Sequence, residues 1–310
     1  MTNSTNMKPE PQLLASELLK LTDNELFGFI QKQNFKSRKE MNDFLEKHFP
    51  DRVPNGIFPV KRPRKTNEEK SDDLIYQAFN SKKKGVNLAK EALRLNPSNI
   101  MALNFLGDNA ESAEEALQLY KTAMDYGKVQ LGDDYFIKNK GQLWEKFESK
   151  QFMTAKFGYA DCLATIGKLE ESIAEFQELL ILNPTDNQNV RYILGGILLR
   201  QKHYSEFLAL YQQFEAEHST ILLYNYALCL FLKGGASPKA NLILREAYKS
   251  NKHVLRIMTG KEKAIENVKD TYNPGDEDEA TEYLRGNFNL WNEHPKAFGW
   301  ILQFMASLKR

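Results

Sequence analysis

The stretch that decides the fold is TAKFGYADCLATIGKLEESIAEFQELLILNP, residues 154–184. On both sides of a turn at Gly167, apolar residues recur at the spacing of one helix face, which predicts two helices packed against each other. Pro184 follows the second helix, where it ends that helix without disrupting it. Ala160, late in the first helix, is small enough to let two helix backbones approach closely. The stretch therefore predicts one helical pair.

The same pattern returns about 35 residues later and occurs in further copies along the chain, which predicts an array of such pairs. The repeated stretches and their small residues are 99–124 with Gly107, 154–184 with Ala160, 190–214 with Gly195 and 222–248 with Ala227. Upstream, SDDLIYQAFN and GVNLAKEALRLNP supply the two helices of a further pair. The sequence thus predicts about five helical pairs, each of which buries its apolar face against its neighbours.

These residues resemble the tetratricopeptide repeat, a helix-turn-helix unit of about 34 residues with small residues in both helices and a closing proline. Proline closes the units at Pro97 and Pro184 but is missing after Phe214 and after Ala247. The chain also resembles, more narrowly, the tetratricopeptide-like family named after the suppression-of-tumorigenicity seven protein, and its bacterial relatives. The segments that carry this resemblance are LLILNPTDNQNVRYIL and GDEDEATEYLRGNFNLWNEHPKAFGW. It implies a helical-repeat fold and a protein-interaction role, and it supplies no catalytic residues.

Composition shifts along the chain predict its domain organisation. The predicted parts are a small helical N-terminal domain over residues 1–49, a proline-rich basic linker over 50–70, the repeats over 71–250 and a C-terminal helical cap over 251–310. Residues 125–152 read as an irregular, loop-like insertion around Gly132 and Gly141. The fold class is therefore all-α, a tetratricopeptide-like helical-repeat solenoid with a small N-terminal helical domain.

The overall composition excludes several classes of protein. The chain has 310 residues with a hydrophobic content of 42%, and 42 Lys and Arg against 41 Asp and Glu give a net charge of +1, so no global field marks a nucleic-acid binder. Two cysteines cannot make a disulfide framework or a structural zinc site. No apolar run approaches the roughly 20 residues that a membrane span requires. We therefore expect a cytoplasmic protein with no membrane partner, no cofactor and no metal.

The search for reactive or charged motifs yields no catalytic signature: the sequence lacks a phosphate-binding GxxxxGK[ST], an HExxH and a GxSxG motif. Cys162 and Cys229 occupy equivalent places in two units, which favours packing over nucleophilic chemistry. The acidic run at 276–279 fits the first turn of a helix better than a cation site. The basic patch Lys61, Arg62, Arg64 and Lys65 fits a solvated linker better than a nucleic-acid site.

The candidate binding residues follow from the repeat register. One position in each first helix points into the concave face of such a stack, and it holds Asn104, Phe157, Tyr192 and Tyr224. Asp108, Asp161, Asn189 and Arg200 fall near the same groove. Aromatic side chains in successive units could bind an extended peptide or an amphipathic helix. The alternative is that these side chains are buried between neighbouring helices.

The sequence therefore favours a non-catalytic adaptor or scaffold that binds a protein or peptide ligand in its concave groove. The first alternative is an RNA- or nucleoprotein-associated factor that uses the basic linker, although nucleic acid is disfavoured by the balanced charge. The second alternative is an enzyme whose chemistry lies in the N-terminal domain. The residues do not specify which protein is bound or which oligomer forms.

Overall fold

The computed structural model of the protein describes residues 35, 38–48, 65–81, 83–269 and 271–308. The chain divides into two compact units, Met1–Lys65 and Thr66–Arg310. In the first unit the structure describes one helix, α1 (Arg38–His48), on which Leu45 is buried. The rest of the predicted N-terminal domain and most of the basic patch, including Lys61, Arg62 and Arg64, lie outside the described residues.

The described part of the second unit is built of helices and contains no strand. Its first seven helices are α2 (Asn67–Phe79), α3 (Gly85–Leu95), α4 (Ile100–Asp108), α5 (Ala113–Leu131), α6 (Asp133–Lys138), α7 (Phe147–Thr165) and α8 (Leu169–Leu182). The others are α9 (Val190–Arg200), α10 (Tyr204–Gln213), α11 (Thr220–Gly234), α12 (Pro238–Ser250), α13 (Lys252–Met258), α14 (Glu277–Asn292) and α15 (Pro295–Ser307). The predicted all-α fold class is confirmed. None of these helices is both long and apolar enough to cross a membrane.

Side-chain caps decide where several helices begin. At the start of α2, the Thr66 side chain accepts a hydrogen bond from the Glu69 amide, and the Glu69 side chain accepts one from the Thr66 amide. Because this capping box satisfies two otherwise unpaired amides, α2 begins four residues before the predicted start of the repeats at Ser71. The end of the predicted 50–70 linker is therefore helical.

Five successive helical pairs pack as the repeats predict: α2 with α3, α4 with α5, α7 with α8, α9 with α10 and α11 with α12. All four small residues of the repeat pattern, Gly107, Ala160, Gly195 and Ala227, are buried. A Cβ atom at Gly107 would lie 2.7 Å from Cζ of Tyr120, and one at Gly195 would lie 3.3 Å from Cε2 of Phe207. The two glycines thus make room for an aromatic ring of the second helix, whereas the sequence suggested close approach of two backbones.

The predicted loop-like insertion over residues 125–152 is mostly helical. Helix α5 continues to Leu131, α6 follows directly, and α7 begins at Phe147. Gly132, with φ 75°, is the single residue between α5 and α6, and residues 139–146 separate α6 from α7. The prediction was wrong because the tertiary contact between α5 and α7, in which Gly127 lies against Phe152, stabilises helices that the local sequence only weakly favours.

The C-terminal section follows the last pair and also lies against earlier ones. Helix α14 contacts α13 and α15, but it also packs on α9 and α11, the first helices of two pairs. A chain of hydrogen bonds holds it there: Trp291 donates to the Tyr283 hydroxyl at 2.8 Å, and that hydroxyl donates to Oδ1 of Asn225 on α11 at 3.1 Å. The section predicted as a cap on the end of the stack therefore covers part of its side as well.

The acidic run behaves as the sequence predicts. The Asp276 carboxylate accepts a hydrogen bond from the Glu279 amide at 2.9 Å and caps α14, which begins at Glu277. Acidic residues fill the first turn of this helix, where the exposed amides favour negative charge. Helix capping explains the run, as predicted.

Candidate functional site

A cleft of about 350 Å³ opens between α4, α5 and α7. Its lining consists of Gly107, Asp108, Ala116, Tyr120, Thr154, Phe157, Gly158, Asp161 and Cys162. Helices α4 and α7 are the first helices of two successive pairs, and they contact each other directly. The cleft therefore lies on the set of helices that the repeat register assigns to the binding face.

Tyr120 of α5 lies between α4 and α7, with a glycine of each helix against its ring. A Cβ atom would lie 2.7 Å from Cζ of this ring if added at Gly107 and 2.5 Å if added at Gly158. Both distances are shorter than real Cβ contacts, so glycine at both positions leaves the space that the ring occupies. The cleft thus depends on two glycines that come from different repeats.

The Tyr120 hydroxyl orients one acidic side chain of the cleft. It donates a hydrogen bond to Oδ1 of Asp108 at 2.5 Å. Burial, followed by the hydrogen bond and charge of Asp108, raises the pKa of Tyr120 far above its usual range, so the hydroxyl keeps its proton. This hydrogen bond fixes the direction of the Asp108 side chain.

Asp161 supplies a second carboxylate on the α7 side of the cleft. Desolvation raises its pKa, although its side chain reaches the mouth of the cleft. In the described part of the chain, neither Asp161 nor Asp108 forms an ion pair, and no Lys, Arg or His lines the cleft. Two negative charges thus face the same space without a cation to balance them.

Phe157 forms an apolar wall beside these carboxylates. Its ring is half-buried and packs edge to face on Phe176 of α8, with 5.7 Å between the ring centroids. Because Phe176 is fully buried, this contact fixes the Phe157 ring in place. The cleft therefore combines a rigid aromatic surface with two acceptors.

Both cysteines are buried, in agreement with their predicted packing role. Burial and then the charges of Asp161 and Asp108 raise the pKa of Cys162 to about 11. Burial raises the pKa of Cys229 to about 12. Both groups are therefore thiols at neutral pH, and Cys162 presents no nucleophilic thiolate to the cleft.

The structure brings together three of the predicted groove residues, Asp108, Phe157 and Asp161, in the cleft. Asn104 is 3% exposed, and its amide nitrogen donates to the backbone oxygen of Gln151 on α7 at 2.9 Å. Tyr224 is 0% exposed, and its hydroxyl donates to the backbone oxygen of Asn251 at 2.8 Å. The groove assignment is wrong for Asn104 and Tyr224, because neighbouring helices cover both side chains.

The other three predicted residues lie outside the cleft, on or beside α9. Tyr192 is half-buried, donates its hydroxyl hydrogen to Glu217, and lies 4.3 Å from the Arg191 guanidinium, measured to the ring centroid. Asn189 precedes α9 and Arg200 ends it, both exposed. None of these three residues lines the cleft that holds Phe157 and Asp161.

The surface of α9 and α11 that corresponds to the cleft is covered by α14. Gly196 and Leu228 stand where Asp108 and Asp161 stand in the earlier units, directly after the small residue. A Cβ atom at Gly196 would lie 3.6 Å from Oδ1 of Asn287 on α14, and Leu228 is fully buried. Sequence reasoning noted the two aspartates but missed this contrast, which the aligned repeats contain.

Comparison with known proteins assigns no family. The sequence matches no protein-family model. It also has no significant match among curated proteins. The resemblance to tetratricopeptide proteins therefore stays a prediction that rests on the residues of this chain.

The side chains of the cleft are suited to hydrogen bonding and apolar contact. It offers two carboxylate acceptors, a hydroxyl on Thr154 and an aromatic wall, while its tyrosine and its thiol are both held in the protonated state. No group of three potential metal ligands occurs among the residues that the structure describes. The arrangement suits a ligand that carries hydrogen-bond donors and positive charge.

Proposed function

We propose that the protein is a non-catalytic adaptor with a tetratricopeptide-like helical-repeat architecture, and that it binds a segment of another protein in the cleft between α4, α5 and α7. The single observation that carries this proposal is the cleft itself, which is open, preformed and lined by the first helices of two successive pairs. Binding sites for peptides are commonly grooves of this kind, where rigid helices hold the contact residues.

The packing of the helices supports the repeat architecture. First helices of different pairs contact each other, α2 with α4, α4 with α7 and α9 with α11, as they do when helical pairs stack in one direction. Second helices also contact the first helix that follows, α3 with α4, α8 with α9 and α10 with α11. Each pair thus buries its apolar faces against its neighbours, which is the physical basis of a solenoid.

Helix α14 supports a binding role for the face that the first helices of the pairs form, which we call the first-helix face. Helix α14 packs on α9 and α11 through both aromatic and polar contacts, so this face already binds one helical segment within the chain. The α4–α7 section carries the open cleft. We assign the partner segment to that section, in a reducing compartment such as the cytoplasm, which the two free cysteines favour.

Selection from a random peptide library displayed on phage tests this proposal, followed by fluorescence anisotropy of the selected peptides with the full chain. Thr154 lines the cleft, and Thr154→Trp places a large side chain in it. The matched control is Thr122→Trp on an exposed position of α5. We expect Thr154→Trp to weaken binding at least about tenfold, the loss of one buried contact group, and Thr122→Trp to leave it unchanged.

Melting temperatures of both variants show that the comparison is between folded proteins. If the selection yields no binder, or if both variants bind the selected peptides equally well, the cleft is not a protein-binding site and the proposal is wrong.

A further inference from the structure

We propose that the cleft recognises an arginine side chain of the bound segment, with the guanidinium between Asp108 and Asp161 and against the ring of Phe157. This inference rests on the proposed adaptor function and names the chemistry of the partner. The occupant is an arginine-bearing peptide segment, and it is argued from charge, shape and the contrast with the covered part of the same helical face.

Charge is the first argument. The cleft places the carboxylates of Asp108 and Asp161 in one space, and no cation of the described residues pairs with either. The Tyr120 hydroxyl bonds Oδ1 of Asp108, so that carboxylate has a fixed direction and keeps Oδ2 for another donor. A cationic ligand would relieve the mutual repulsion of the two carboxylates.

Shape distinguishes arginine from lysine. A guanidinium is planar, carries five N–H donors in a rigid fork, and stacks on aromatic rings, whereas an ammonium is a compact point charge that remains strongly hydrated. The fixed ring of Phe157 supplies the stacking surface, and two separate carboxylates suit a donor that points in several directions. A cleft of about 350 Å³ that opens to solvent admits one long side chain from a segment lying across its mouth.

The equivalent positions of the covered face support the same conclusion. Where α14 covers the first helices, the residues after the small position are Gly196 and Leu228, and neither carries a charge. Where the face is open, the same positions are Asp108 and Asp161. An occupant that offered no cation would bury these carboxylates unpaired, at a large desolvation cost. The open section therefore requires a positively charged occupant.

Peptide pools with one defined position test the inference on the full chain. Nonapeptides with randomised flanks carry arginine, lysine or citrulline at the centre, and fluorescence anisotropy measures how each pool binds. Citrulline keeps the shape of arginine without its charge. We expect the arginine pool to bind at least about tenfold more tightly than the citrulline pool, as for loss of a charge-assisted hydrogen bond, and more tightly than the lysine pool.

Two double variants test whether the preference for arginine over citrulline depends on the two aspartates of the cleft. Asp108→Asn with Asp161→Asn should abolish the preference for arginine over citrulline. Asp133→Asn with Asp134→Asn removes the same charge from exposed positions at the start of α6 and should preserve that preference.

The outcomes separate this inference from the adaptor function. Equal binding of the arginine and citrulline pools, when Thr154→Trp weakens both, would overturn the arginine inference and keep the protein-binding cleft. Equal binding of the arginine and lysine pools would show recognition of charge alone and would also overturn it. If no pool binds the wild-type chain, both proposals are wrong.

Discussion

The first-helix face of this protein differs between its two halves. Across α4 and α7 it is open and carries Asp108 and Asp161, while across α9 and α11 it is covered by α14 and carries Gly196 and Leu228 at the same register positions. The same register position thus carries a charged side chain where the face is open and an uncharged residue where α14 covers it. In a repeat protein, the backbone pattern can be kept while the chemistry of each unit changes.

In the covered half, aromatic side chains of α14 fill the face and their polar atoms are hydrogen-bonded. Tyr283 and Trp291 of α14 are almost completely buried, and their polar atoms are paired with each other and with Asn225. Tyr224 and Tyr283 lie with 5.5 Å between their ring centroids. Among the residues that the structure describes, no comparable group fills the cleft between α4, α5 and α7.

The largest expected effect comes from breaking the covered half. Trp291→Ala removes a fully buried indole that also bonds Tyr283, and we expect it to lower the free energy of unfolding by about 3 to 5 kcal/mol. The matched control is Phe288→Ala, because Phe288 lies on the same helix and is 39% exposed. Urea denaturation measures both. Similar losses for the two variants would mean that α14 is not buried as described.

The second effect concerns the floor of the open half. Gly158→Ala places a methyl group 2.5 Å from the Tyr120 ring and should cost about 1 to 3 kcal/mol through overpacking. Gly286→Ala, in α14, meets nothing within 4 Å and should stabilise the chain by up to about 1 kcal/mol, since alanine favours helix. Thermal unfolding gives both values. The same sign for the two substitutions would contradict the packing of Tyr120 between α4 and α7.

The third expected effect is the loss of stability on removing the N-terminal cap of α14, the helix that covers α9 and α11. Although desolvation opposes it, hydrogen bonding from the amides of Glu279 and Asn273 lowers the pKa of Asp276. Asp276→Ala should therefore cost about 1 kcal/mol at pH 7, the usual loss of a helix cap. Because the folded-state pKa is depressed, this contribution is present above the unfolded pKa of about 3.9 and is lost as the pH falls through the folded value. A loss that is independent of pH in acid unfolding curves would rule out the carboxylate as the cap.

The smallest expected effect is a gain in stability, and it comes from replacing Asp161 in the open half. Folding raises the pKa of Asp161 by desolvation, so the folded chain binds the proton more tightly than the unfolded chain. Its contribution to stability therefore falls as the pH rises through the interval between the unfolded and the folded pKa. Asp161→Asn should stabilise the chain at pH 7 by about 0.5 kcal/mol or less, as expected at a surface position. A destabilised variant at pH 7, with no gain relative to pH 3, would show that Asp161 has a cationic partner within the chain.

Much of the helical architecture follows from local patterns in the sequence. The small residues of each unit and the cysteines are buried as the repeat register predicts, and the acidic run lies in the first turn of α14 as its composition predicts. The insertion at 125–152 was predicted as irregular because Gly132 and Gly141 interrupt it, yet packing against α7 keeps most of it helical. Local sequence patterns identify the glycines that can interrupt a helix, but they contain no information on the tertiary contacts that stabilise the neighbouring helices.

The candidate site was predictable only in part. Phe157 and Asp161 were found because the register assigns them to the binding face, and both line the cleft. Asn104 and Tyr224 occupy equivalent positions but are buried by Gln151 and α14, which lie far from them in the sequence. The register specifies the direction of a side chain on its helix, but it does not specify what another part of the chain places in front of it.

By itself, the sequence determined that this chain forms paired helices with small residues at their contacts, because helix periodicity, caps and turn glycines act over a few neighbouring residues. Only the tertiary structure decided which part of the first-helix face stays open. That choice depends on where α14 packs, and its packing involves long-range contacts of Tyr283 and Asn287 with Asn225 that no local pattern encodes. The carboxylates of the cleft, on α4 and α7, lie outside the surface that α14 covers.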